Sequence, residues 1–235
     1  MPPVLPVLRP WSRNIQNRCT YNVIRSYWMA HDAVTFLIDL ERYHPALLDF
    51  LTDNEKEQAF HFKPVISRQR FVVSRSVLKH ILSEILLKEN IADIILIKSD
   101  SGRILVKDQA HIFISLSYSG SSIAITVGKR KIGSDLEIVR PVPDKKIISS
   151  PFFENYRCTN SAGCMRQVIH FWTLIESSAK LFDENPYPLL TACAPFRDAD
   201  FVSYCINRHM IFSLASRQGY FNDVLVWLES QADTS

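Results

Sequence analysis

No apolar run in this chain approaches the roughly 20 residues that a helix needs to cross a bilayer, which argues against an integral membrane role. The five cysteines, Cys19, Cys158, Cys164, Cys193 and Cys205, are an odd set with no Cys-x-x-Cys pair. Neither a disulfide framework nor a zinc site is favoured. The seven histidines show no ligand spacing, and no Gly-x-x-x-x-Gly-Lys-Ser/Thr loop is present to support a P-loop nucleotide site. Charge of one sign is also lacking. A formal net charge of +3 is too small to indicate bulk nucleic-acid binding, although a local basic patch can still receive a phosphorylated ligand. The amino terminus is interrupted by Pro2, Pro3 and Pro6 and reaches Arg9 before any signal-length apolar segment develops, so a cytoplasmic location is the expectation. There is no internal repeat.

What is present is the composition of a soluble globular protein, 47% hydrophobic and 22% charged over 235 residues. Residues 1–26 read as an irregular, Pro-rich segment. From Ala33 to Leu40 the pattern is that of a buried strand. Thr52 or Asp53 can cap a helix through Glu55 to Glu57, and a second helix is expected between Ser67 and Leu87, with Phe71, Leu78, Leu82 and Ile85 on one face. Short strand-like runs follow at Ile94 to Ile97, Ile104 to Val106, Ile112 to Leu116 and Ile123 to Val127, with a turn at Ser101-Gly102. The basic turn Gly128-Lys129-Arg130-Lys131 leads into Ile132 to Glu137. A Pro- and Lys-containing connection covers Pro141 to Pro151, then a helix is expected from about Met165 to Phe182, closed off by Pro186 and Pro188. Phe201 to Ile206, Met210 to Leu214 and Val224 to Leu228 are again strand-like. This order favours an α+β fold, divided into the segment 1–26, an N-terminal lobe 27–130 and a C-terminal lobe 131–235.

Asp135 and Glu137 stand two apart, so in a strand they project to the same side while Leu136 points into the core. The pair forms a carboxylate platform or the solvated face of an amphipathic strand, and Gly133 beside it permits close approach of backbone or ligand. Trp172, Glu176 and Lys180 recur at four-residue spacing on one helix face, with Phe171, Leu174, Ile175, Ser178 and Phe182 on the opposite side. Glu176 and Lys180 are either a surface ion pair or part of a site. With Glu176 as a third hard oxygen donor, the carboxylates suggest a Mg2+ site, since that ion is commonly held by a few carboxylates while water and substrate phosphate fill its other positions. Arg68, Arg75 and Lys79, with Arg70 and Lys63 nearby, form a basic stripe suited to phosphate contacts or to plain surface charge.

Taken in order, these elements resemble the 4'-phosphopantetheinyl transferases, in particular the single-chain type that modifies carrier proteins of peptide and polyketide synthases. Phe62 through Leu82 is similar to that family's Arg-rich helix, and Ser101-Gly102-Arg103 to its Gly-Lys-Pro turn. Ile114-Ser115-Leu116-Ser117-Tyr118-Ser119-Gly120 resembles its Asn-Leu-Ser-His-Ser-Gly strand. Ile132 to Glu137 resembles Ile-Gly-Ile-Asp-Ile-Glu, and Phe171-Trp172 through Lys180 resembles Phe-Trp-Ser-x-Lys-Glu-Ser-x-x-Lys. The match spans roughly Leu51 to Leu190. It implies two similar lobes related by a pseudo-twofold, with coenzyme A and Mg2+ in the cleft between them. It further implies Asp135, Glu137 and Glu176 as metal ligands, and Glu176 as general base toward a serine of an apo carrier protein. Lys180 would stabilise the departing 3',5'-ADP, and Lys63, Arg68, Arg70, Arg75, Arg103, Ser117 and Tyr118 would contact coenzyme A. A monomer suffices for two lobes in one chain, and neither nucleic acid nor membrane is an expected partner. Ile175 stands where the family carries a lysine, Tyr118 where it carries a histidine, and Ser134 where it carries an apolar residue.

Overall fold

Ala33 through Ile38 are all buried, which is why this strand reads as a continuous apolar run and not as an alternation: both of its faces meet a packed layer. The computed structural model describes residues 7–11, 18–42, 45–140, 162–190, 196, 199–217 and 222–228. In chain order its strands are β1 (Leu8–Trp11), β2 (Arg18–Cys19), β3 (Ala33–Asp39), β4 (Leu96–Lys98), β5 (Ile104–Val106), β6 (Phe113–Ser119), β7 (Ser122–Gly128), β8 (Ile132–Ile138), β9 (Ala199–Ile206), β10 (Met210–Arg217) and β11 (Asp223–Leu228). Its helices are α1 (Ile24–Ala30), α2 (Asp53–His61), α3 (Val65–Leu86), α4 (Ala162–Phe182) and α5 (Pro186–Leu189).

The strands form a five-stranded sheet in the order β2-β11-β3-β7-β6, a four-stranded sheet in the order β1-β9-β10-β8, and the hairpin β4-β5. Both large sheets are mixed: β11 is parallel to β2 and β3, and β1 is parallel to β9, while the other pairings are antiparallel. One face of the five-stranded sheet, with Val34, Phe36, Ile123 and Ile125, packs on Val77, Ile81 and Leu82 of α3 and on Ile24 and Trp28 of α1. Its other face brings Ala33, Leu37, Ala124 and Trp227 against Ile132, Leu136, Phe212 and Leu214 of the second sheet. Helix α4 covers β8 and β10 from the far side. The architecture is α+β.

Local chemistry accounts for the element ends that frame the cleft. Thr52 and Glu55 form a reciprocal capping box at the start of α2. The β6–β7 turn places Gly120 at φ +58, the left-handed conformation that glycine enters without a Cβ penalty. Two expectations change. The segment before Ser26 contains β1, β2 and the start of α1; Pro10 is accommodated because β1 is an edge strand. Pro186 and Pro188 do not simply close α4, since Asn185 caps a new helical turn, α5, in which Pro186 takes the first position. The expected connection from Pro141 to Pro151 lies outside the described residues. Among the described residues no helix is long and apolar enough to cross a membrane.

Candidate functional site

Strand alternation divides β8 cleanly. Ile132 and Leu136 enter the core between the sheets, whereas Gly133 lies directly beneath α4. A Cβ on Gly133 would overlap the Ser177 carbonyl oxygen and the Leu181 amide nitrogen, so the missing side chain is what lets helix and strand approach. That approach carries Lys180 to Asp135: its ammonium donates to Asp135 Oδ1 at 2.8 Å and to the Ser134 carbonyl at 3.0 Å. Asp135 is 4% exposed, and Ser117 Oγ also donates to its Oδ1 at 2.8 Å. The other oxygen, Oδ2, is buried with no hydrogen-bond partner among the described residues. Glu137 Oε2 accepts from Ser119 Oγ at 3.0 Å.

The negative charges of Asp135, Glu137 and Glu176 act on one another. Burial, then the charge of Asp135, push the Glu137 carboxyl above its usual range. Glu176 is pushed up to about 7, first by burial, then by Asp135, with Lys180 opposing and Glu137 adding to the rise.

Glu176 and Lys180 line a cleft of about 720 Å³ bounded by α3, the β4-β5 hairpin, β6 and the end of α4. Arg70, Arg75, Arg103 and Tyr118 line the same cleft. Arg70 donates to the Gly120 carbonyl at 2.6 Å, and its buried Nε has no partner among the described residues. Arg75 is 6% exposed, with its guanidinium 5.4 Å from the Phe71 ring centroid. Burial lowers its pKa, against the opposing influence of Tyr118 and Glu55. Tyr118 donates to Ser74 Oγ at 2.9 Å. Arg103 is a structural tie, bonding Asp183 Oδ1 at 2.8 Å, the Ile132 carbonyl at 3.2 Å and the Lys180 carbonyl, and so fastening the hairpin to the end of α4. Burial works against Asp183, yet bonds from Lys131 and Arg103 hold its carboxyl below the usual range.

Other sequence-derived candidates lie elsewhere. Lys63 is exposed and outside the cleft lining. Arg68 donates to the Phe62 carbonyl at 3.3 Å and sits over the Phe60 ring, also outside the lining. Ser117 is bonded to Asp135 and to the Leu136 amide, behind the cleft. Ile175 is buried with Val168, Phe171 and Leu190 in a separate apolar cluster, so it forms core and no wall of the cleft. Trp172 packs on that cluster and does not line the cleft with Glu176. Ser115 and Ser119 escaped the sequence reading as site residues, although their two-residue spacing around Ser117 is visible in the chain.

The donors suit a hard divalent cation in kind: carboxylate oxygens, with Asp135 Oδ2 buried and undonated and like-charge repulsion that a cation relieves. In the arrangement seen, Lys180 neutralises Asp135, and among the described residues no three His, Cys, Asp or Glu side chains are gathered closely enough to hold a metal. Compared with known proteins, the chain matches no family model, and no curated protein gives a significant sequence match.

Proposed function

We propose that the chain transfers the 4'-phosphopantetheine group of coenzyme A to a serine of an apo carrier protein. The observation that carries this reading is the meeting, in one basic cleft, of Glu176 and Lys180 with Arg70 and Arg75, with Asp135 bonded to Lys180 behind them. On this reading the two sheets with their helices correspond to two similar lobes, and the protein acts as a cytoplasmic monomer. Arg70 and Arg75 bind and orient the phosphates of coenzyme A; both line the cleft, and the buried Nε of Arg70 has no partner among the described residues. Tyr118 is held by Ser74 against the same wall.

Asp135, Glu137 and Glu176 are the residues that would hold Mg2+ on this reading, drawn closer together than they stand here, and the ion would supply neutralisation of the pyrophosphate charge. On this reading Glu176, which lines the cleft, accepts the proton of the carrier serine. The serine oxygen forms its bond to the β-phosphorus as the bond from that phosphorus to the bridging oxygen breaks. The electron pair leaves with 3',5'-ADP, whose growing charge Lys180 stabilises.

Mass spectrometry of several apo carriers mixed with the chain, coenzyme A and Mg2+ tests the reading. The expected result is a phosphopantetheine mass shift with the parent that disappears in Glu176→Gln and Asp135→Ala. No shift on any carrier overturns it. A non-catalytic protein that binds coenzyme A or a carrier is the second reading, supported by the ion pair that places Lys180 on Asp135. Calorimetric binding without turnover selects it.

A further inference from the structure

A second cavity, of about 410 Å³, opens between α2 and β4. Its volume falls within the range of about 300–1,000 Å³ usual for small-molecule sites. Arg75 and Lys98 line it and also line the cleft, so the two cavities meet at these cations. On one bank Asn54 and Gln58 stand one helical turn apart on α2, and their amides make no side-chain hydrogen bond among the described residues. On the other bank Ile95 and Ile97, two apart along extended chain, are each 44% exposed. Glu55 is the one acidic residue in the lining, and its Oε2 is already bonded to Lys79 at 2.5 Å and to the Thr52 amide at 3.0 Å. Lys79 is fully buried and Arg75 nearly so, which sets one carboxylate against two buried cations, with Lys98 a third at the junction. Arg75 feels the charges of Tyr118 and Glu55, but among the described residues no hydrogen bond or ion pair ties its guanidinium.

We propose that this cavity binds the base of a purine nucleotide, whose phosphate reaches the junction between Arg75 and Lys98. The excess of positive charge there selects an anion, and a phosphate ester accepts charge-assisted hydrogen bonds from both cations. The primary amides of Asn and Gln pair with the edge of adenine, donating to a ring nitrogen and accepting from the exocyclic amine. Ile95 and Ile97 offer the face of a base an apolar surface to lie on, and the contact releases water from both. A bare anion uses the junction alone, and a purely apolar ligand leaves both amides without a partner. Two sources supply this chemistry: the nucleotide end of coenzyme A, reaching across from the cleft, or a free nucleotide. The inference rests on the proposed function only for the first of these. With either source Asn54, Gln58 and Lys98 are binding residues, and the occupant touches the cleft through Arg75.

Isothermal calorimetry on the whole chain tests this, with AMP, adenosine, CMP and inorganic phosphate as probes. AMP is expected to bind at least about tenfold more tightly than adenosine or phosphate, and more tightly than CMP. Lys98→Gln and Gln58→Leu are each expected to weaken AMP by about tenfold, the scale of one lost charged or bidentate contact, and Gln58→Leu leaves phosphate binding unchanged. Both positions are exposed, so the variants keep the fold, which circular dichroism checks. Lys88→Gln, at an exposed lysine outside both linings, controls for general surface charge and keeps the parent affinity. No AMP binding by the parent, equal affinity for phosphate and AMP, unchanged AMP binding in Gln58→Leu, or an equal loss in Lys88→Gln overturns the inference. Coenzyme A then separates the two sources. If it displaces AMP and its own affinity falls in Gln58→Leu, the cavity takes the nucleotide end of coenzyme A; if Gln58→Leu weakens AMP alone, the cavity takes a free nucleotide. The carrier mass shift is read independently: its failure with AMP binding retained defeats the proposed function and not this site, and the reverse result defeats the site alone.

Discussion

Glu176 combines burial with the negative charge of two neighbours, and this gives it an unusual effect on stability. Its folded pKa, about 7, lies above the ordinary 4.5, so between those values the folded chain holds a proton that the unfolded chain releases. Stability therefore falls as pH rises through that window, the reverse of a carboxylate held low by a cation. Glu176→Gln removes the titrating group while keeping its shape. The variant is expected to exceed the parent in stability at pH 8 by on the order of 1–3 kcal/mol, with the difference shrinking toward pH 5. Urea unfolding of both proteins at the two pH values measures it, and equal stability at pH 8 contradicts the buried, repelled state of Glu176. Under the proposed function, Glu176 would serve the reaction at a cost to the fold.

At the scale of elements, the contact between β8 and α4 decides the site. Gly133 admits the helix backbone, and the helix then delivers Lys180 to Asp135 and Glu176 to the cleft. Gly133→Ala sets a methyl group against the backbone of Ser177 and Leu181, which no rotamer change relieves. A loss of at least about 3 kcal/mol is expected, beyond the usual range for a surface substitution. Thermal unfolding followed by circular dichroism checks this; a parent-like transition shows that helix and strand are less closely docked. The elements themselves were largely legible, because α3 carries Phe71, Leu78, Leu82 and Ile85 at helical spacing and β3 is an unbroken, mostly apolar run. The shared face of Asp135 and Glu137 followed from the same two-residue period. The common cleft position of Glu176 and Lys180 followed from helical spacing. Trp172 does not line the cleft with them and packs instead on the apolar cluster of Phe171, Ile175 and Leu190.

Across the whole molecule, the two sheets are bound by chain crossings as well as by their apolar interface. The C-terminal strand β11 inserts between β2 and β3 of the five-stranded sheet, while β1 from near the start of the sequence pairs with β9 in the other. Truncation after Arg217 removes β11, strips β3 of its parallel partner and exposes the face buried by Leu225 and Trp227. Such a chain is expected to lose cooperative urea unfolding and to aggregate, because the open edge of β3 is a row of unpaired backbone groups beside bare apolar surface. A soluble, cooperatively folding truncation, judged by size-exclusion chromatography and urea titration, contradicts that role for β11.

By itself the sequence determined the α+β class, the helices and strands around the cleft, and the grouping of acidic and basic residues on particular faces, because these are written in spacings of two and of three to four residues. Only the tertiary structure decided the partners. Ser117 meets Asp135 and not the cleft, Arg103 ties down the end of α4, Ile175 joins the core, and β11 crosses into the other sheet. Each of these joins residues far apart in the chain, where local periodicity carries no information and the outcome depends on packing two sheets and two long helices while pairing the polar groups they bury.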